Sequence, residues 1–192
     1  MRFANSIAAA ILFTAAAVAP AYADDMSDFQ ARYEKLKVAM DSREDRDIKV
    51  LLTKDFEATD IRGETKDADE MITQLAMMPD MPGMTTEVKV ISVTVNGTSA
   101  NAVSSRDIHM SRQGPDGAMH AGEMIQQSND VWVQTKGVWL LKSTEAQTMT
   151  MKRDGVVMRS FKKGDPIPPQ RPRGEGPPPG EGPPPGPPPA GK

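Results

Sequence analysis

The hydrophobic period changes once along this chain, and that change restricts the fold more than any single motif. Between about residues 24 and 78, apolar side chains recur every three or four positions; beyond Gly83 they alternate. Helices that come first and half-buried strands that follow predict an α+β domain, with helices packed on one sheet. Met26, Phe29, Tyr33, Leu36 and Met40 form one stripe and predict a helix over 24–42. Ser42 with Asp45 predicts a cap for a second, shorter helix carrying Ile48, Leu51 and Leu52. An extended run over 56–60 and a turn at Gly63 precede a third helix over 67–77, with Met71, Ile72 and Leu75 on its buried side. Pro79, Pro82 and Gly83 end it.

Strands are predicted over 87–95, 100–110, 119–127 running on towards 130–134, then 138–151 and 156–161. Asn96-Gly97, Gly114 to Gly117, Lys136-Gly137 and Asp154-Gly155 supply the turns. Connections this short do not allow crossovers, so the sheet is expected to be antiparallel.

Both ends of the chain differ from this middle. Arg2 is the only charged residue before Asp24, Ile7 to Val18 is almost wholly apolar, and Pro20 precedes Ala21-Tyr22-Ala23. That is the pattern of a secretory signal peptide over 1–23, which predicts an exported protein, periplasmic or secreted. Its apolar run is shorter than the roughly 20 residues that cross a bilayer, so no membrane span is expected after cleavage. At the other end, 13 of the 17 prolines lie between Pro166 and Pro189, and GEGPPP occurs twice from Gly174 to Pro185. Residues 165–192 read as a solvated, disordered tail, with a cell-wall component or a proline-binding protein as its possible partner. Residues 24–164 remain for one core.

Composition excludes several classes. With no cysteine there is no disulfide scaffold, thiolate metal site or cysteine nucleophile. With 23 basic against 26 acidic residues, the chain lacks the basic balance of a nucleic-acid binder. A Gly-rich phosphate loop, a His-Glu-x-x-His zinc motif and a Gly-x-Ser-x-Gly elbow are all missing from the sequence.

Two groups of residues carry a resemblance. Thr53-Lys54-Asp55-Phe56-Glu57-Ala58-Thr59-Asp60 with Gly63 precedes a short helix. Asn129-Asp130-Val131-Trp132, Gly137-Val138-Trp139-Leu140-Leu141, Glu145 and Gln147 follow in the second half. In this order they resemble nuclear-transport-factor-two-like domains, and the SnoaL-like group most closely, over about residues 26 to 150. The resemblance implies a strongly curved antiparallel sheet wrapped around helices, a cone with a pocket at its open end, and common homodimerisation. Members include isomerases, cyclases, dehydratases, epoxide hydrolases and non-catalytic binding or assembly modules, so the fold does not decide the function.

Enzymes of that superfamily use Asp, Tyr, Arg or His pointing into the cone. Here the candidates are Tyr33, Asp60, Asp107, His109, Glu123 and Glu145. A carboxylate in an apolar hollow gains proton affinity, which suits proton abstraction. Asp60 also reads as a turn residue beside Gly63, and Tyr33 as a core residue of the first helix. Alternation puts Trp139, Leu141, Ser143, Glu145 and Gln147 on one face, taken as concave because Trp139 offers the most apolar area. Trp132, Trp139, Leu141 and Gln147 are the predicted pocket lining. Glu145 and Gln147 fit either the depth of the pocket or its solvated rim.

Methionine is abundant, with 14 residues. Met77, Met78, Met81 and Met84 lie within eight positions, and His109-Met110 and Met119-His120 flank a turn. Thioethers with imidazole suit Cu(I), while methionine also serves as an adaptable apolar filler. Lys152, Arg153, Arg159, Lys162 and Lys163 form a modest basic cluster that reads as a solvated face. The expectation is an exported cone domain that binds a small apolar or amphipathic molecule or a second copy of itself, without a cofactor. An isomerase- or cyclase-type enzyme with a pocket carboxylate as base, and a Met/His copper-binding protein, are the alternatives.

Overall fold

The computed structural model describes residues 21–166 apart from Asp80, Pro82, Pro115 and Asp116. The predicted signal sequence up to Pro20 and the tail beyond Pro166 lie outside the described residues. The expected cleavage junction, Ala23–Asp24, falls in the first turn of helix α1 (Ala21–Ser42).

Helix α1 buries Phe29, Tyr33, Leu36 and Ala39, the stripe expected of a helix lying on a sheet. The short helix α2 (Asp45–Lys49) buries Ile48. Its N-cap is Glu44 with no side-chain cap. The Ser42 hydroxyl, expected to cap it, instead donates to the Ala39 carbonyl at 2.8 Å and accepts from the Glu44 N–H at 3.3 Å. Strand β1 (Leu52–Thr59) starts earlier than expected, taking in Leu52. A two-residue strand, β2 (Thr65–Lys66), and helix α3 (Ala68–Met77) follow. Asp67 caps α3 in a full capping box with Glu70, which fixes where the helix begins.

Four long strands make the body of the sheet: β3 (Thr85–Asn96), β4 (Ser99–Gln113), β5 (Met119–Thr135) and β6 (Val138–Arg153). A shorter strand, β7 (Val156–Lys162), returns along β6. The two runs expected over 119–134 are one continuous strand. Lys136-Gly137 and Asp154-Gly155 both turn with two positive φ angles, the geometry that matches strand twist in two-residue hairpins.

The sheet order is β2-β1-β6-β5-β4-β3, with β7 also on β6. The sheet is antiparallel except at one place: β1 runs parallel to β6. Short hairpins could not produce that pair. It is possible because α3, β3, β4 and β5 all intervene in the chain, leaving ample length for a crossover. Single-residue register shifts occur in β3 at Ile91 and in β6 at Lys142 and Gln147, and bulges of this kind bend a sheet. At the free edge of β3, Gln30 of α1 donates through Nε2 to the Val88 carbonyl at 2.7 Å. Its Oε1 accepts from the Val90 N–H at 2.8 Å.

Cross-strand partners share a face, so the inner face can be read as rows. The lowest runs Leu52, Leu141, Trp132, Ala100, Val95; the next runs Ala58, Thr144, Asp130, Ala102, Val93. Above them come Ala146, Ser128, Ser104 and Val90, then Phe161, Met149, Gln126, Arg106 and Val88. Helix α1 covers the lower rows. Phe29 meets Trp132 edge-on with ring centroids 5.7 Å apart and leans on Trp139 at 5.4 Å. Trp132, 2 % exposed, is the central core residue, and Trp139 is a half-buried flank.

Candidate functional site

Four side chains converge where α1 crosses β4 and β5. The Tyr33 hydroxyl donates to Asp130 Oδ2 at 2.5 Å, and the Ser104 hydroxyl donates to the same oxygen at 2.6 Å. The Trp132 indole N–H donates to the Tyr33 oxygen at 3.2 Å. Asp130 is 2 % exposed and Tyr33 4 %. Burial, and after it the Asp130 charge, hold the Tyr33 phenol well above its ordinary range, so it remains a donor at neutral pH. The second carboxylate oxygen, Asp130 Oδ1, is buried and has no hydrogen-bond partner among the described residues. A buried acceptor left unpaired costs about 1–3 kcal/mol, and more when charged.

Arg106 stands one row above Ser104 on the same face of β4. It is solvent-exposed, yet desolvation lowers its guanidinium below the ordinary arginine range, while the charges of Asp130 and Asp41 partly offset this. Arg106 is thus a solvent-accessible cation on the inner face of the bent sheet. Beyond it, Ile108, Met124 and Met151 form the next row, and all three are half-buried. The inner face thus has a buried floor with a polar cluster, Arg106 one row above Ser104, and methionine-rich rows in which Arg159 pairs with Met151. A separate depression of about 250 Å³ lies between α1 and α2, lined by residues such as Val38, Asp47 and Val50, and shares no residue with this cluster.

Of the residues singled out in the sequence, Tyr33, Trp132 and Leu141 lie at the floor. Trp139 flanks it through Phe29. Glu145 and Gln147 do not line the hollow. The bulge at Lys142 reverses the alternation after Leu141, so Ala146 faces inward and its neighbours face outward. Glu145 pairs instead with Lys163 and Gln147, and the Lys163 ammonium holds its carboxyl below the usual range. Asp107 is on the outer face and accepts from the Ser105 hydroxyl at 2.8 Å. His109 and Glu123 are cross-strand neighbours on that same face, and Glu123 pairs with Lys152. Asp60 accepts from the Arg62 and Glu64 N–H groups at 2.8 and 3.0 Å, the work of a turn residue.

The methionine and histidine candidates are dispersed. Met77, the last residue of α3, and Met78 and Met81 after it are exposed, and Met84 is half-buried before β3. His120 is opposite Arg112 on the inner-face parity and contacts Asp154 at 2.7 Å, whereas His109 is on the outer face. The sheet therefore separates the two imidazoles.

Sequence reasoning passed over Asp130, Ser104 and Arg106. The signal was present for the first: Asp130 is two residues from Trp132 in an alternating strand, so burying the indole buries the carboxylate with it.

No family model matches the chain, and no curated protein matches it by sequence. Its structure is similar to that of a protein provisionally assigned as a scytalone dehydratase from Novosphingobium aromaticivorans. The TM-score is 0.56 at 16% identity, covering 76% of this chain and 96% of that one. It is also similar to the hexachlorocyclohexane dehydrochlorinase LinA-type3 from Novosphingobium barchaimii, with a TM-score of 0.52 at 12% identity over 77% and 97% of the two chains. The association domain of C. elegans CaMKII gives 0.52 at 13% identity over 66% and 97%. Helices first and a bent, mostly antiparallel sheet, shared with these neighbours, are the fold that the resemblance to nuclear-transport-factor-two-like domains implies.

Proposed function

We propose that this chain is an exported binding domain that holds a small apolar or amphipathic molecule in the hollow above Asp130. The observation that carries the reading is Asp130 Oδ1, a buried carboxylate oxygen without a hydrogen-bond partner among the described residues, one row below Ser104 and Ser128 and two below Arg106 and Met149. A hydroxyl or amine on a ligand would satisfy that oxygen, and the methionines above would cover the apolar remainder. Self-association as a homodimer belongs to the same reading, supported by the likeness to an association domain. Among the described residues no helix is long and apolar enough to cross a membrane.

The test is native mass spectrometry of protein purified from its own host. An equimolar small molecule that is retained by the wild type and lost from Asp130→Asn is expected. Ligand-free protein that also shows no thermal shift with a panel of amphiphiles overturns the reading. The same spectra report whether a dimer forms.

A second reading follows from the same oxygen. In an isomerase- or cyclase-type enzyme Asp130, rather than Asp60, Asp107 or Glu145, would accept the proton, with the Tyr33 hydroxyl poised beside it. Turnover that vanishes in Asp130→Asn while binding persists would favour it. Binding and turnover lost together would return the carboxylate to the role of an anchor.

A further inference from the structure

Above the buried cluster the acidic strand residues lie on the outer face, together with Lys89 and Lys152, whereas the charged residues of the inner face are all basic. Above the row of Ser104, the strand side chains on the inner face include Arg106, Arg112, Arg153 and Arg159, and none of their partners in those rows is acidic. Glu87, Asp107 and Glu123 occupy the same levels on the outer face. This happens in a chain whose formal net charge is −3. Arg153 has Asp154 of the adjoining turn 3.9 Å away, whereas Arg106 forms no ion pair among the described residues.

The apolar side chains on this face are equally ordered. Phe161, Met149 and Gln126 continue the row of Arg106, and Met151, Met124 and Ile108 form the row above. From Arg106 to Met110, on the same face of β4, is four residues, about 13 Å at the usual rise of a strand. The hollow therefore offers a cation near its floor and a flexible apolar wall of that length.

From this juxtaposition we infer that the ligand is an amphipathic carboxylate. Its head group sits on the Arg106 guanidinium, and its chain runs outward along Ile108, Met124, Met149, Met151 and Phe161. The inference rests on the binding role assigned to the hollow and adds a carboxylate to an occupant that also carries the hydroxyl or amine donor for Asp130 Oδ1. A planar guanidinium takes a carboxylate through two parallel hydrogen bonds. The remaining arginines draw anions towards the mouth. Unbranched thioether side chains adjust to a chain without a fixed shape.

Calorimetric titration of the full chain with decanoate and with decanol tests this. The two probes share a chain that fits the wall and differ in the head group. Decanoate is expected to bind at least about tenfold more tightly than decanol. That preference is expected to disappear in Arg106→Gln and to return in Arg106→Lys, which restores the charge; far-ultraviolet circular dichroism checks that both variants fold. Equal affinity for the two probes, or a preference that survives Arg106→Gln, overturns the inference and leaves the binding role intact. Failure of both probes to bind tells against the hollow as a site for amphiphiles.

Discussion

Replacing Tyr33 with Phe isolates the polar contribution of the buried cluster. The ring stays, so its edge-on contact with Trp132, centroids 5.2 Å apart, is preserved. What is lost is the donor to Asp130 at 2.5 Å and the acceptor for the Trp132 indole at 3.2 Å. A hydrogen bond to a charged group contributes about 1.5–3 kcal/mol, and an indole N–H left unpaired costs about 1–3 kcal/mol. Removing the phenol oxygen also removes its own desolvation cost, so the net destabilisation is set at about 2–4 kcal/mol. At roughly 2–4 °C per kcal/mol for a chain of this size, Tm should fall by about 5–15 °C. Urea unfolding followed by tryptophan fluorescence reads the same loss directly.

The pH dependence gives an independent check. The folded Tyr33 pKa lies above its unfolded value of 10.0. The stability linked to it is complete below that pH and is lost as pH rises above it towards the folded value. Wild type should therefore weaken above about pH 10, and Tyr33→Phe should weaken less steeply. A Tyr33→Phe variant within about 0.5 kcal/mol of wild type, with an unchanged alkaline limb, would show that the hydroxyl is not locked in this network.

Three further outcomes are expected. Trp132→Ala should cost about 3–5 kcal/mol in urea unfolding, and Trp139→Ala distinctly less, because only Trp132 is fully buried; equal losses would contradict the placement of the two rings. The Asp154 carboxyl, lowered first by its hydrogen bond to His120, should titrate by carbon-detected NMR below the ordinary aspartate range. It should move back up in His120→Ala, and any stability tied to it is present above that range and lost as pH falls. Deleting residues 166–192 should leave Tm almost unchanged, and a large drop would mean that the tail docks on the domain.

The elements were legible where the chain states them locally. The stripe through Phe29, Tyr33 and Leu36 and the glycine turns at 97, 137 and 155 are each fixed by a few neighbouring residues. What could not be read depends on distant pairing. β1 joins β6 across most of the domain, and no residue in 52–59 announces a parallel partner. The bulges at Lys142 and Gln147 carry no glycine or proline to mark them, yet one of them moved Glu145 out of the hollow. The site shows the same division. Tyr33 was visible as a helix-face aromatic, whereas Arg106 gains its importance only when four strands align and its neighbours across the sheet prove to be apolar.

The amide of Gln30 mimics a peptide unit where β3 would otherwise offer bare hydrogen-bonding groups to a stranger. Border strands invite fibre growth and strand exchange. Here the molecule's own first helix answers that invitation with one side chain, next to the Ile91 kink that already turns the border aside. A newcomer adding itself at Val88 and Val90 must first evict that amide. Whatever copies of this chain do to one another, this margin is guarded against recruitment by strand addition.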